Sequence, residues 1–427
     1  MLTSAGFVLA LLAGSVAAKT CVNLTIPIDI SSRNGVFNIA VPQSNLDSTT
    51  FIQNVTQQGR NFTETALSGY ATVSGHYKIS AQFCKPSVCN TPSSTLQILT
   101  HGIGFDKTYW DNSYHDFNYS YVNVATDEYK YCTFAFDRLG IGNSSHGEPL
   151  NEIQSFLEVS ALAELTNMLR NGTVPGISDR FSKIIHVGHS FGSAETYSLV
   201  NMYPDISDGI VLTGFSLNAS FTAFFAAGAD FQQANLNQPI RFGNTSAQTV
   251  DSVLAMIGRN PSDPSTMAIT EAYGLTDYIA GLVPGSMPVE YVNGYLANSN
   301  VNSQQYLFLL PGYFDTGLLY AGELSKQPVT VGELLTLSSV PMMNNFAGPV
   351  LIVTGSNDVP YCGGNCLATG NPAVPSIPST VAKAFPNVGA NNFEAYIQPN
   401  SGHGINFHYN ATGAYKVIQN YLSSKGL

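Results

Sequence analysis

Residues 183–192 read KIIHVGHSFG, and they predict much of the architecture. The first half of this segment is an apolar run that predicts a buried strand, and Ser193–Met202 predicts the helix that follows. Ser190 lies at the turn between them, with Gly188 and Gly192 on either side. On a sharp strand-to-helix turn, side chains two residues from the serine would collide, which explains both glycines. The segment therefore predicts a nucleophilic serine.

Two backbone amides are candidates for an oxyanion hole beside Ser190. The N-terminus of the predicted helix offers the N–H of Phe191 together with the positive end of the helix dipole. An earlier apolar strand ends in His101-Gly102-Ile103-Gly104, and such a glycine-rich turn can direct a backbone N–H toward the serine. We expect the amides of Ile103 and Phe191 to form the pair. A plain turn at His101 is the alternative.

A serine nucleophile needs a base, and the base needs a carboxylate that holds its tautomer. Asp358 follows the predicted strand that ends near Thr354, and His403 follows the predicted strand Phe393–Ile397. Both therefore lie in loops at the carboxyl ends of strands, where open α/β sheets place their chemistry. The order Ser190, Asp358, His403 is that expected of a Gly-x-Ser-x-Gly serine.

Other acids and bases fit this pattern less well. Asp137 also ends a strand, but it precedes the serine and adjoins Arg138, which favours an ion pair or a turn. Glu394 lies within a strand. His408 is a second candidate base, and otherwise a packing or loop-bonding residue. The remaining histidines beside the turn, His186 and His189, are interpreted as structural.

Apolar strands alternate with helices along most of the chain. Continuous apolar strands separated by helices predict an α/β protein with a mostly parallel sheet covered on both faces. The predicted strands are Val22–Ile30, His76–Phe83, Leu96–Thr100, Cys132–Asp137, Lys183–Val187, Gly209–Thr213, Pro349–Thr354 and Phe393–Ile397. The predicted helices are Glu152–Arg170, Ser193–Met202 and Thr412–Ser423.

The alternation breaks between residues 214 and 346, which are aromatic-rich and helical in tendency. Because the sheet needs strands from both sides of this block, we interpret it as a mainly helical cap inserted between core segments 19–213 and 347–427. Aromatic residues near the serine would suit an apolar ester. The candidate pocket residues are Tyr109, Trp110, Phe221, Phe224 and Phe225, although most cap aromatics are expected to pack cap helices together.

The first 18 residues resemble an export signal, with an apolar run from Phe7 to Ala13 and small residues up to Ala18. They carry no Lys or Arg before the apolar run, and a buried helix is the alternative. Nine Asn-x-Ser/Thr sequons support export and predict N-glycans. They begin at Asn23, Asn54, Asn61, Asn118, Asn143, Asn171, Asn218, Asn244 and Asn410.

The six cysteines suit an oxidising compartment. Two close pairs, Cys84 with Cys89 and Cys362 with Cys366, are predicted to form local disulfides, which leaves Cys21 with Cys132 by elimination. The loop closed by Cys362 and Cys366 follows Asp358, and it could stiffen the loop of this acid, shape the pocket or tie a long surface excursion. Zinc is disfavoured because there is no Cys-x-x-Cys motif, and no cofactor or metal is predicted.

Composition limits the partners. Only 11% of residues are charged, 17 of them basic, and the formal net charge is −11. Nucleic acid is therefore excluded as a partner, since a phosphate-binding face needs clustered Lys and Arg. No run after the leader is apolar and long enough to span a bilayer, so we expect no integral membrane association and a small-molecule substrate.

Together these features resemble the α/β-hydrolase superfamily over nearly the whole chain after the leader. The resemblance rests on the His101 turn, the Asp137–Gly142 turn, Ser190, Asp358 and His403, and on His101–Asp111, a segment similar to that of secreted fungal hydrolases with a cap. It implies an eight-stranded sheet, a Ser-His-Asp triad and a variable lid. It implies no particular substrate, because the fold hosts many reactions.

Three classes of function follow. A carboxylic-ester hydrolase acting through an acyl-enzyme on Ser190 is the leading hypothesis. An aminopeptidase or amidase would keep the same triad but would need an acidic group in the cap to capture a substrate amine. The candidates for that group are Asp230, Asp277, Glu290 and Asp315. A non-catalytic binding protein is disfavoured because all three triad positions are present.

Overall fold

The computed structural model describes residues 19–86, 95–243 and 291–427, together with Thr270. Several predictions therefore concern residues outside this set. They are the leader 1–18, Cys89, the sequon at Asn244, the central part of the cap, and the acidic candidates Asp277 and Glu290.

An eight-stranded sheet forms the core, and all eight predicted strands belong to it. In chain order these are β1 (Thr20–Phe37), β2 (Leu67–Lys85), β3 (Thr95–Thr100), β4 (Cys132–Phe136), β5 (Lys183–His189), β6 (Gly209–Thr213), β10 (Val350–Gly355) and β11 (Phe393–Gln398). Their order across the sheet is β1-β2-β4-β3-β5-β6-β10-β11. The β1–β2 and β2–β4 pairs are antiparallel and the other pairs are parallel. This is the arrangement of the α/β-hydrolase fold.

The burial of the strands follows from their place in the sheet. Strands β3, β4, β6 and β10 are buried at every residue, as expected of parallel strands covered on both faces. Within β3, Ile98 packs in one cluster with Leu162, while its neighbour Leu99 packs in another with Ile418. Because successive side chains of a strand point to opposite faces, the sheet has a helical layer on each side.

Seven helices of eight residues or more occur in the described part of the chain. They are α1 (Asn45–Thr56), α2 (Ser155–Asn171), α3 (Phe191–Met202), α4 (Thr222–Ala229), α5 (Val301–Phe308), α6 (Thr316–Ser325) and α7 (Ala411–Ser424). The predicted helices correspond to α2, α3 and α7. The first begins three residues later than predicted, because Gln154 is extended and its side chain bonds to the backbone of Gly35.

The region between β6 and β10 is not wholly helical. Besides α4, α5 and α6 it contains a three-stranded sheet of β7 (Gln232–Gln233), β8 (Tyr295–Ala297) and β9 (Val329–Thr330). Its pairs are antiparallel. Strands of two or three residues carry no periodicity that a sequence pattern could reveal, so this sheet was not predicted.

The disulfides differ in part from the prediction. Cys362 pairs with Cys366 as predicted, but Cys84 pairs with Cys21, which overturns both Cys84–Cys89 and Cys21–Cys132. The reason is the antiparallel register of β1 and β2, which places Cys21 directly opposite Cys84 with their Cα atoms 4.1 Å apart. Cys132 is buried on β4.

No helix in the described ranges is long and apolar enough to cross a membrane. The eight described sequon asparagines all have accessible surface. Asn23, Asn61, Asn118, Asn143 and Asn171 are exposed, and Asn54, Asn218 and Asn410 are partly buried.

Candidate active site

Ser190 lies at the turn that leads from β5 into α3, in a conformation that few side chains adopt. Its φ is 54° and its ψ is −114°, so a backbone strain of about 1–3 kcal/mol is expected there. The flanking glycines make the turn possible. A Cβ on Gly188 would lie 2.4 Å from the carbonyl oxygen of Gly192, and a Cβ on Gly192 would lie 2.3 Å from that of Thr100.

Ser190, His403 and Asp358 form one hydrogen-bonded chain. The distance from Ser190 Oγ to His403 Nε2 is 2.8 Å, and that from His403 Nδ1 to Asp358 Oδ2 is 2.6 Å. Asp358 and His403 are almost completely buried, whereas Ser190 is partly accessible. With Nδ1–H donating to the carboxylate, Nε2 is free to accept the serine proton, which is the geometry that general-base activation requires.

The loops that carry the acid and the base are fixed by their own hydrogen bonds. Asp358 follows β10 and uses its second oxygen, Oδ1, to accept from the backbone N–H of Tyr361 at 2.9 Å. His408 was a rival base, but its Nε2 accepts from the amides of Gly402 and Leu310, at 3.0 Å each. Burial lowers the pKa of His408 to about 4, so the neutral ring stabilises the loop that carries His403.

His189 lies beneath the base and is structural, in agreement with its interpretation from sequence. Its Nδ1 donates to Thr213 Oγ1 at 3.1 Å, and Thr213 donates in turn to the carbonyl of Gly188 at 2.9 Å. Burial, together with the neighbouring His403, holds the pKa of His189 well below its usual range. The ring stays neutral and adds no charge beside His403.

Ile103 and Phe191, which were expected to supply the oxyanion donors, lie beside Ser190. Ile103 lines the same cleft as Ser190, and a Cβ on Gly102 would lie 2.9 Å from Ser190 Cβ, so the His101 turn packs directly on the serine. Phe191 is the first residue of α3, and the first amides of a helix have no acceptor within it. Their positions fit an oxyanion hole formed by these two amides, which stays a prediction.

An apolar cleft of about 850 Å³, including its open mouth, begins at Ser190. Both the core and the cap contribute to it. Its apolar lining includes Phe215, Leu217, Phe225, Leu337, Val340 and Pro360. Among the described residues that line it, none carries a charged side chain, which suits an uncharged apolar group next to the reacting carbonyl.

Only one of the five candidate pocket residues lines this cleft. Phe225 does so, and its ring lies 6.3 Å from that of His403. Tyr109 and Trp110 are instead buried in the core, where Tyr109 stacks on His189 with ring centroids 4.4 Å apart. The short 3-10 helix at residues 107–109 directs the ring of Tyr109 toward His189 rather than into the cleft, and Trp110 packs between Tyr109 and Tyr121.

Phe221 and Phe224 also lie outside the cleft lining. They stack on each other with centroids 6.1 Å apart, and Phe224 is 52% exposed. Phe221 packs toward the loop at Gly363. The sequence pattern alone could not distinguish Phe221 and Phe224 from Phe225 as lining residues, because neighbouring residues of a helix point in different directions.

A buried charged cluster connects the cap to α3, the helix that follows Ser190. Asp137 was expected to form an ion pair or a turn beside Arg138, but Arg138 contacts three glutamates: Glu158 at 2.9 Å, Glu195 at 3.2 Å and Glu333 at 2.7 Å. Asp137 pairs with Lys107 instead, at 2.7 Å. The glutamates belong to α2, to α3 and to a short cap helix over 331–336, so the cluster joins three elements.

No protein-family model matches this sequence, and no curated protein sequence is similar to it. Solved structures with a similar fold include an esterase from Thermogutta terrifontis, with 14% identity over 83% of this chain and 96% of that one and a TM-score of 0.44. Est1E from Butyrivibrio proteoclasticus, solved with ferulic acid, has 13% identity over 82% and 96%, with a TM-score of 0.42. An epoxide hydrolase from Vigna radiata has 15% identity over 82% and 95%, with a TM-score of 0.39.

Proposed function

We propose that this chain is a secreted serine hydrolase that cleaves carboxylic esters of apolar acids. The hydrogen-bonded chain Ser190–His403–Asp358 at the head of an apolar cleft is the observation that carries the proposal. His403 takes the proton of Ser190 as Oγ attacks the ester carbonyl, and then returns it to the leaving alcohol. Asp358 holds the Nδ1–H tautomer, and the amides of Ile103 and Phe191 bind the oxyanion. Water then releases the acid by the same steps.

Amide hydrolysis is the second candidate, and the described part of the cleft lining offers it no carboxylate. An aminopeptidase needs a carboxylate that holds the substrate's amino group. Asp230 is exposed beyond the end of α4, and Asp315 caps the start of α6. Neither lines the cleft, so neither stands where an amine would be held close to the scissile bond.

Labelling with a fluorophosphonate tests the nucleophile. The folded wild type is expected to be labelled, and Ser190→Ala is not, because only an activated serine reacts with such probes. Chromogenic esters of increasing acyl length, compared with amino-acid anilides, then test the substrate class. We expect hydrolysis of the esters and little of the anilides. An unlabelled, folded wild type would exclude a serine hydrolase, and turnover of the anilides alone would exclude an esterase.

The proposal includes export and N-glycosylation, which the accessibility of the sequon asparagines supports. Expressed through a eukaryotic secretory pathway, the protein is expected to carry glycans at its exposed sequons. Asn410 should be occupied least, because its Nδ2 already donates to the carbonyl of Pro399 and Oδ1 accepts from Ser401. Glycopeptide mapping measures occupancy at each site. Full occupancy at Asn410 with none at Asn23 or Asn143 would contradict this expectation.

A further inference from the structure

The proposed base lies between two glycines, and a single imidazole bonds to both of them. His403 is preceded by Gly402 and followed by Gly404. Glycine leaves the backbone more conformational freedom than any other residue, so contacts from elsewhere must keep the base in place. His408, which is fully buried, supplies them. Its Nε2 accepts from the N–H of Gly402, and its Nδ1 bonds to the carbonyl of Gly404, at 3.0 Å each.

The same ring nitrogen also bonds to the cap. Nε2 of His408 accepts a second hydrogen bond, from the N–H of Leu310 at 3.0 Å, and Leu310 lies between α5 and α6. The carbonyl of Phe308, at the end of α5, accepts from the N–H of Gly404 at 2.8 Å. A Cβ on Gly402 would lie 2.7 Å from that carbonyl oxygen. The loop of the base is therefore bonded to the cap directly through Gly404 and indirectly through His408.

These contacts determine the protonation of the His408 ring. Both partners of Nε2 are backbone N–H groups, which can only donate, so Nε2 carries no proton. The proton of the neutral ring is then on Nδ1, which donates to the carbonyl of Gly404. Burial favours this neutral form, because it lowers the pKa of His408 to about 4. All three hydrogen bonds are satisfied at once by this tautomer.

The position of His403 matters for the rate. Its Nε2 lies 2.8 Å from Ser190 Oγ, and proton transfer requires a separation of about 2.6–3.2 Å between the heavy atoms. Asp358 bonds to the other ring nitrogen, which sets the tautomer but does not fix the backbone that carries the ring. A displacement of about 1 Å can slow a reaction by about a hundredfold. The contacts that fix this backbone are therefore relevant to catalysis.

We propose that His408 is a positioning residue, which holds Gly402 and Gly404 against the cap and so keeps His403 in contact with Ser190. The inference rests on the proposed ester hydrolysis, in which His403 moves a proton in both half-reactions. The cap then contributes to catalysis without contacting the reacting atoms, because its amide at Leu310 shares the acceptor that holds the loop of the base.

The test compares His408→Gln with His408→Asn, assayed with an activated aryl ester of an apolar acid. The amide oxygen of Gln extends to the position of Nε2 and can accept from both backbone amides, whereas the shorter Asn extends only to the position of Nδ1. His408→Asn should lower kcat and kcat/KM together by about tenfold to a hundredfold with KM unchanged, because a displaced base slows both half-reactions. His408→Gln should stay within about threefold of the wild type.

His186→Asn is the matched control. This histidine is also fully buried, and its ring bonds to Thr166 at 2.9 Å and to Ser207 at 2.8 Å, but it does not line the cleft. Its replacement should lower the melting temperature and leave kcat and kcat/KM of the folded enzyme unchanged. If His408→Asn behaves in the same way, or if His408→Gln loses as much activity as His408→Asn, the positioning role is refuted. Should His408→Asn not fold, a folded His408→Gln with less than about a tenth of wild-type turnover refutes it equally.

Hydrogen exchange tests the connection to the cap. Backbone amides of residues 308–313 and 401–408 should exchange faster in His408→Asn than in the wild type, and at the wild-type rate in His186→Asn. Faster exchange confined to 401–408 would refute the part assigned to the cap. Fluorophosphonate should label the wild type, and it should label His408→Asn more slowly by the factor lost in kcat/KM. An unlabelled wild type would instead refute the proposed function itself.

Discussion

Ser190→Gly is expected to abolish ester turnover and, at the same time, to make the protein more stable. Removing the nucleophile should lower kcat by a factor on the order of 10⁵–10⁶. The backbone at this position has a φ of 54°, which glycine adopts without the strain that a Cβ imposes. Relief of that strain, less the greater entropy of glycine in the unfolded chain, should leave a gain of about 1 kcal/mol.

Ser190→Ala is the matched control. Alanine loses the same hydroxyl and the same hydrogen bond to His403, but it keeps the Cβ and therefore the strain. Thermal or denaturant unfolding should rank glycine above alanine, and both should be inactive. If alanine is as stable as glycine, the turn is not strained. If either variant retains more than a small fraction of wild-type turnover, Ser190 is not the nucleophile.

Local patterns were sufficient to predict the core of this protein. Each core strand is a short apolar run bounded by turn residues, and parallel strands bring their carboxyl ends to one edge of the sheet. Asp358 and His403 could therefore be placed near Ser190 although 168 and 213 positions, respectively, separate them from it in the chain. The Gly-x-Ser-x-Gly pattern identified the turn, because a side chain at either glycine would collide with the backbone. The short distances from a Cβ placed at these positions show this directly.

The errors arose where contacts depend on register or on direction. Cys84 was assigned to the cysteine nearest in sequence, but the register of two long antiparallel strands places it opposite Cys21. Tyr109 was assigned to the pocket because it follows the oxyanion turn, yet its ring points behind His189. Tyr361 was overlooked as a residue of the cleft lining, although its spacing of three residues from Asp358 is that of a helix N-cap and its N3 position. That spacing is the signal that could have found it.

The charged cluster could not be predicted for a related reason. Glu158 and Glu195 lie within predicted helices, and a glutamate in a helix is most often exposed. Here both are buried, because α2 and α3 pack together and meet the turn that carries Arg138. The contact therefore depends on how the helices pack. The only sign of it in the local sequence is that acidic residues occur in otherwise apolar helices, which is unusual.

Arg138→Met is expected to be among the most destabilising single changes in the core. It leaves Glu158, Glu195 and Glu333 buried without their cation, and losing one partner of a buried ion pair costs about 3–5 kcal/mol. The guanidinium also lies 4.6 Å from the centre of the Phe191 ring, so activity should fall with stability. Arg170→Met is the matched control. Its pair with Asp208 is one-third exposed, and its removal should cost less than about 1 kcal/mol.

The same cluster should make stability depend on pH. Three buried carboxyl groups face one arginine, and burial raises the pKa of Glu195 to about 7 and that of Glu158 well above its usual value. A carboxyl with a raised folded-state pKa binds more protons folded than unfolded. Its contribution is thus complete below its unfolded pKa near 4.5 and is lost as pH rises through about 7.

The buried histidines act in the opposite sense over part of this range. Burial lowers the pKa values of His101, His186, His189 and His408, so their contribution is present above pH 6.5 and is lost as pH falls. The pH dependence of wild-type stability alone therefore combines the effect of the carboxyl groups with that of the histidines. A comparison with Glu195→Gln isolates the cluster, since the amide keeps the size of the side chain and does not titrate.

Melting temperatures of wild type and Glu195→Gln, measured from pH 5 to pH 8, provide the test. Relative to the variant, the wild type should lose stability steadily as pH rises across this window, because it alone must give up the proton of Glu195. The charged neighbours of Glu195 in the cluster, Glu158, Glu333 and Arg138, are common to both proteins. Parallel profiles would mean that Glu195 does not hold a proton in the folded state. A wild type that gains stability with pH relative to the variant would reverse its assigned pKa shift.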